Sequence, residues 1–237
     1  MSLKKLIIFL IVPVFFQFTA VIQLASAETY IGLGVGASLG GEYSDISADG
    51  DTKATDLDSE ESVAYGFKVG HYFESTPWLG IELNVSQRDP DIGRQDAKCT
   101  GTSGICSGGA VGSADLNAEH MTTIGILAMF RATDEQAKNM FNFQPYLGLG
   151  LGINAINLSE GRTFDVGGAF NDAVNLDSVV TVGFLLSAGL NYKITDSIKA
   201  YSEYKYVESS FGMTTEDVKY EFDLNDHSLL FGLAYGF

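Results

Sequence analysis

The sequence predicts an all-β chain, an eight-stranded antiparallel up-and-down transmembrane β-barrel. Three observations carry that expectation. Eight segments alternate large apolar residues with small ones at the period of a strand. The small face is crowded with glycine. The last ten residues, SLLFGLAYGF, set Leu229, Phe231, Leu233, Tyr235 and Phe237 on one apolar face, whereas chain ends of water-soluble domains are usually polar and frayed.

Ahead of the strands, Lys4 and Lys5 precede an apolar run that ends at Ala25-Ser26-Ala27. This is the layout of a signal peptide over residues 1–27, cleaved before Glu28, leaving 28–237 as the barrel domain. Loss of Lys4 and Lys5 moves the formal charge from -16 to -18, which argues against nucleic acid as a partner. After the leader no apolar stretch has the length of a membrane helix, so any crossing is made by strands.

Residues 30–38, YIGLGVGAS, place Ile31, Leu33 and Val35 against Gly32, Gly34 and Gly36. Residues 63–72 and 79–87 follow, joined through Phe73-Glu-Ser-Thr-Pro77. Folding them about Ser75 pairs Phe67 with Leu83, Val69 with Ile81, Gly66 with Asn84 and Lys68 with Glu82, each matched in character. The fourth strand covers about 121–131, and the fifth, 146–155, repeats the pattern of the first. The sixth and seventh, 180–192 and 198–207, flank a short turn, and the terminal segment is the eighth. Connections after the odd strands are long and polar, giving one ragged acidic rim and one tighter rim. The connection ATDEQAKNMFNF, on the tighter side, is long enough for a helical turn.

Alternation alone does not separate a soluble carrier barrel, apolar inside, from a membrane barrel, apolar outside. The glycine-rich face decides for the membrane: glycine weakens strands, and its density on one face fits a narrow interior. The long residues on that face carry both signs, so Lys68, Glu82, Glu203 and Lys205 are expected to form an interior polar cluster. Phe130, Tyr192, Tyr235 and Phe237 share the apolar face near the tight rim, as an aromatic girdle does.

These features together, from the leader through YIGLGVGAS, WLGIELNVS, PYLGLGLG and AGLNYKITDSIKAYSEYKY to GLAYGF, resemble the outer-membrane β-barrel family that includes OmpA-like transmembrane domains and opacity-type surface proteins. The resemblance implies the outer membrane of a Gram-negative bacterium, with outer-membrane lipid and lipopolysaccharide around the wall. It implies that the barrel-assembly machinery reads Phe231, Tyr235 and Phe237 as an insertion signal. It also implies a structural or surface-interaction role, adhesion-like or antigen-like, through acidic extracellular loops that meet a host or cell-surface ligand or a divalent cation. Two alternatives stand beside it: a small porin of low conductance, and a barrel enzyme that modifies lipid A.

Few residues invite chemistry, and no catalytic, cofactor or metal residue is expected. Cys99 and Cys106 are the ends of the Gly/Ser-rich octapeptide CTGTSGIC in an exported chain, the pattern of a small disulfide loop. Residues 45–56 carry oxygen ligands at calcium-loop positions, but Lys53 takes a ligand place and a solvated acidic loop is the plainer reading. The GLGVG and GLGLG runs lie on strands and lack the nucleotide-binding spacing. His71, His120 and His227 are the only histidines, and His227 adjoins Ser228 rather than standing apart from it as a catalytic base.

Overall fold

Every segment with period-two alternation is a strand. The structure, a computed structural model, describes residues 28–48, 52–55, 57–89, 92–101, 111–116, 118–158, 179–215 and 218–237. The leader, Cys106 and the tips of the longer connections lie outside them. The elements are β1 (Thr29–Ala48), β2 (Thr52–Thr55), β3 (Leu57–Asp58), β4 (Ser62–Phe73), β5 (Thr76–Arg88), β6 (Ile92–Gly101), β7 (Val111–Leu116), β8 (Ala118–Arg131), α1 (Asp134–Lys138), β9 (Phe143–Leu158), β10 (Val179–Lys193), β11 (Ile198–Thr215) and β12 (Val218–Gly236).

Eight of these strands close a barrel in the cyclic order β1-β4-β5-β8-β9-β10-β11-β12, with β12 pairing back to β1 from Tyr30↔Gly236 outward. All the neighbouring pairs are antiparallel. Closure leaves no strand edge in the wall, which a bilayer requires. The remaining strands build outward from β1: β2 and β3 pair with it, β6 pairs with β2 and β7 with β6. Cys99 lies in β6, and its expected partner Cys106 falls outside the described residues.

The wall has the expected polarity. Leu33, Ile126, Leu151, Val182, Leu233 and Phe237 are exposed, and the alternate residues face the lumen. Two glycines show what the small inner face accommodates. A Cβ on Gly70 would strike the ring of Tyr30, and one on Gly32 would sit 2.9 Å from Lys68 Cγ. Glycine on one strand gives room for a long side chain reaching in from the next.

Two expectations need correction. The β4–β5 hairpin pairs Phe67 with Val85, Gly66 with Ser86, Lys68 with Asn84 and Val69 with Leu83, two residues away from the expected register. The turn is Glu74-Ser75, closed by Phe73↔Thr76, and β5 then holds Pro77, Trp78 and Leu79 without partners on β4 before Tyr72↔Gly80. Pro77 has no N–H to give a ladder, and the tighter turn together with the bulge that contains it leaves the ladder offset from the expected register by an even step of two. Such a shift keeps every side chain on its face, so facial matching does not detect it. The second correction concerns the connection between the last two strands. It is no long loop: β11 and β12 remain paired as far as Thr215↔Val218.

The connection 132–142 holds the expected helical turn, α1. Thr133 and Gln136 form a reciprocal capping box, which satisfies backbone N–H groups that the first turn leaves open. Phe141 and Asn142 then take positive φ values, 56° and 66°, to turn the chain back into β9.

Candidate functional site: the filled lumen and the two rims

The four expected interior residues all face the lumen and are buried. Lys68 Nζ lies 2.7 Å from Glu203 Oε2 and 3.7 Å from the centre of the Tyr201 ring. Tyr146 Oη donates to the same carboxylate at 2.8 Å. Lys205 Nζ donates to Asn84 Oδ1 at 2.5 Å and is 3.9 Å from Glu203 Oε1. Glu82 accepts from Tyr30 Oη at 2.6 Å and from Asn84 Nδ2 at 3.2 Å. The four charges fall into two hydrogen-bonded sets, Lys68–Glu203 with Tyr146 and Glu82–Lys205 with Tyr30 and Asn84, which the longer Lys205–Glu203 ion pair brings together. Pattern reading did not single out the tyrosines or the asparagine.

Two further ionic groups fill the lumen above and below. Toward the outer end, Arg88 Nε is 2.7 Å from Asp226 Oδ2, and Ser38 and Ser228 donate to the same carboxylate. At the opposite mouth, where β1 begins and β12 ends, Glu28 binds Arg131 with one carboxylate oxygen and Lys199 with the other. Burial opposes ionisation of Glu28, but Arg131 and Lys199 outweigh it and hold the carboxyl below the ordinary range. The alternation of β5 and β12 placed Arg88 and Asp226 on the inner face, which was the available signal for that pair. Glu28 precedes the first alternating segment and gave none.

Much of the lumen is apolar as well. Met121, Leu127, Met129, Ile156, Leu185 and Leu224 are each no more than 1 % exposed. Phe211 and Phe222 stack at 5.0 Å in the outer part. The inner face is thus a packed core of mixed polarity, and the small residues counted in the sequence are the spaces into which these side chains reach.

The outer surface has its own order. At the rim where β1 begins and β12 ends, Trp78 stacks on Phe130 at 6.2 Å and Phe143 lies 5.1 Å from Tyr192, with Tyr235 and Phe237 beside each other. The C-terminal residues Phe231, Tyr235 and Phe237 are all exposed on the wall. On β11 the first outward acid above Ile198 is Glu208. Ten residues of strand rise ~33 Å, or ~25 Å at a tilt of ~40°, the height of an apolar belt. Glu208, Asn225, Glu42 and Asp58 then align across β11, β12, β1 and β3 as one row of partners, three of them acidic and exposed.

The histidines stand on separate strands, β4, β8 and β12. His227 lies on the outer wall against Tyr204, 2.6 Å from its hydroxyl, while Ser228 turns inward to Asp226. The two neighbours in sequence are on opposite sides of the wall. The arms of the calcium-like segment pair with each other, Ile46–Ala48 against Thr52–Ala54, as β1 and β2 of a hairpin.

A closed antiparallel barrel with a filled lumen and a lipid-facing apolar belt defines an outer-membrane barrel protein. The family model of the outer membrane protein beta-barrel domain matches residues 14–237, and the chain belongs to that family. Among solved structures it is similar to the outer membrane protein OprG from Pseudomonas aeruginosa, with 17 % identity, a TM-score of 0.50, and 89 % of this chain and 96 % of that one covered. It is also similar to Neisserial surface protein A, with 13 % identity, a TM-score of 0.48 and coverage of 90 % and 100 %. The attachment invasion locus protein Ail of Yersinia pestis gives 14 %, 0.43, and coverage of 90 % and 100 %. No curated protein matches the chain.

Proposed function

We propose that this barrel serves the cell surface: it stabilises the outer membrane and presents acidic extracellular strands and loops to a ligand outside the cell. The observation that carries the reading is the division of labour in the structure. The lumen is occupied by three ionic groups and an apolar layer, while β1, β11 and β12 continue past the expected belt and, with β3, carry the row Asp58, Glu42 and Glu208 outward. Leader cleavage before Glu28, a Cys99–Cys106 disulfide and recognition of Phe231, Tyr235 and Phe237 during insertion belong to the same proposal. The lipid-facing partner is lipopolysaccharide, and divalent cations would bridge its phosphates to the acidic row.

The test is adhesion of whole cells that display the full chain, compared with cells displaying Glu42→Gln/Asp58→Asn/Glu208→Gln. Reduced attachment to host cells or to a cationic surface is expected. Equal attachment with equal surface display contradicts the reading. Lipid A from the same cells, unchanged in mass, is expected against the enzyme alternative.

A further inference from the structure

The periplasmic end holds a feature that the surface role does not use. A cavity of about 140 Å³ opens between α1, the start of β9 and the end of β10. Lys138, Lys193 and Lys199 line it with Asn142, Gln144 and Asn191, and Asp134 is the one acid among its lining residues. Three lysines therefore line one small space in a chain whose formal charge is -16. Gln144, itself buried, fixes the arrangement. Its amide donates to the Ala132 carbonyl at 2.8 Å and to Asp134 at 3.0 Å, and its carbonyl accepts from Lys199 at 3.3 Å.

The adjoining mouth already holds an oxyanion. Glu28 places its carboxylate between Arg131 and Lys199, and Lys199 belongs to both the mouth and the cavity. The chain's own carboxylate is thus a tethered occupant beside an open space of the same electrostatic character. A volume near 140 Å³ resembles the roughly 150 Å³ space that accepts a benzene ring. It admits a phosphate group or a small di- or tricarboxylate, and not a lipid chain.

We infer that this vestibule binds a small multivalent oxyanion, carboxylate or phosphate, from the periplasmic side, and that Glu28 competes with it for Lys199. The site lies at the barrel end away from the acidic strands, so it stands or falls independently of the surface role. Lys138 and Lys193 supply attraction from the rim, where Lys193 also meets Asp196 at 3.0 Å. Asn142 and Asn191 supply neutral amides to the oxygens, while both N–H donors of Gln144 go to Ala132 and Asp134. Removing Glu28's charge leaves two cations without their internal partner and increases the field in the cavity.

The experiment is calorimetric titration of the folded full chain, in uncharged detergent at low ionic strength where screening is weak, with citrate and separately with inorganic phosphate. Saturable binding of at least one is expected, and the two arms tell carboxylate from phosphate recognition. Lys138→Gln/Lys193→Gln should weaken it about tenfold. Glu28→Gln should tighten it several-fold, a change that a purely structural Glu28 would not produce. Unheated gel mobility checks that each variant is folded, and Lys138→Gln alone provides a milder second variant. Absence of saturable heat with both anions, or equal affinity in the wild type and the double lysine variant, overturns the inference.

Discussion

Lys68 on β4 and Glu203 on β11 are 135 residues apart in the chain and 2.7 Å apart in the lumen, each almost wholly buried. The pair ties opposite parts of the wall together through the interior. Removing one partner leaves a buried charge without compensation, which costs about 3 to 5 kcal/mol. Lys68→Met and Glu203→Gln are each expected to lower the denaturation midpoint strongly, and Lys68→Met/Glu203→Leu to recover much of the loss. Midpoints measured by unheated gel mobility after incubation in urea check this, and additive losses in the double variant count against it.

Tyr30 gives the Glu82 carboxylate its 2.6 Å hydrogen bond. Tyr30→Phe removes that donor while keeping the ring that fills the space beside Gly70. A loss of about 1 to 3 kcal/mol is expected, and Glu82→Ala should also destabilise. An unchanged unfolding curve for both variants would show that the group contributes nothing to stability.

Glu28 makes stability depend on pH. Its folded carboxyl lies below the ordinary range, so the stabilisation is complete above an unfolded value of about 4.3 and is lost as pH falls through the folded value. Glu28→Gln should therefore be less stable than the wild type at neutral pH, by about 1 kcal/mol. The difference should shrink in acid, as pH falls below the unfolded value of about 4.3 and on through the lowered folded value. Urea unfolding of both proteins at neutral and at acid pH measures it, and a difference that stays constant contradicts the ion pairs.

The β4–β5 register is open to direct chemical test. Val69 pairs with Leu83, so Val69→Cys/Leu83→Cys should cross-link on oxidation, whereas Val69→Cys/Ile81→Cys should not. Partners in an antiparallel ladder lie within bridging distance, and residues displaced by two lie beyond about 7 Å. Preferential cross-linking in the Val69→Cys/Ile81→Cys variant would restore the register centred on Ser75.

The strand positions and the choice of which face meets lipid were legible because both depend only on alternation and on residue size. Leu33, Phe231 and Leu233 could face only lipid or a core, and the glycines opposite them excluded a wide core. The register at Pro77 was not legible, since an even shift changes no face. The apolar content of the lumen was not singled out: Leu127 and Leu185 lie on the inner face, but the glycines and charges on neighbouring strands were the residues that marked that face. Lys68, Glu82, Glu203 and Lys205 were visible as long charged residues among small ones, whereas their links through Tyr30, Asn84 and Tyr146 depend on strand stagger. Glu28 was invisible as a lumen residue because its role comes from Arg131 and Lys199, strands away.

A lumen packed as a core leaves the barrel its outer surfaces to work through, and planar-bilayer recording of the folded full chain is the decisive test of that packing. No stepwise current above the lipid baseline is expected, because ionic groups and buried Met121, Leu127 and Leu185 occupy the interior. Reproducible steps that disappear when the protein is boiled before addition would contradict a closed lumen and make the low-conductance porin the better reading.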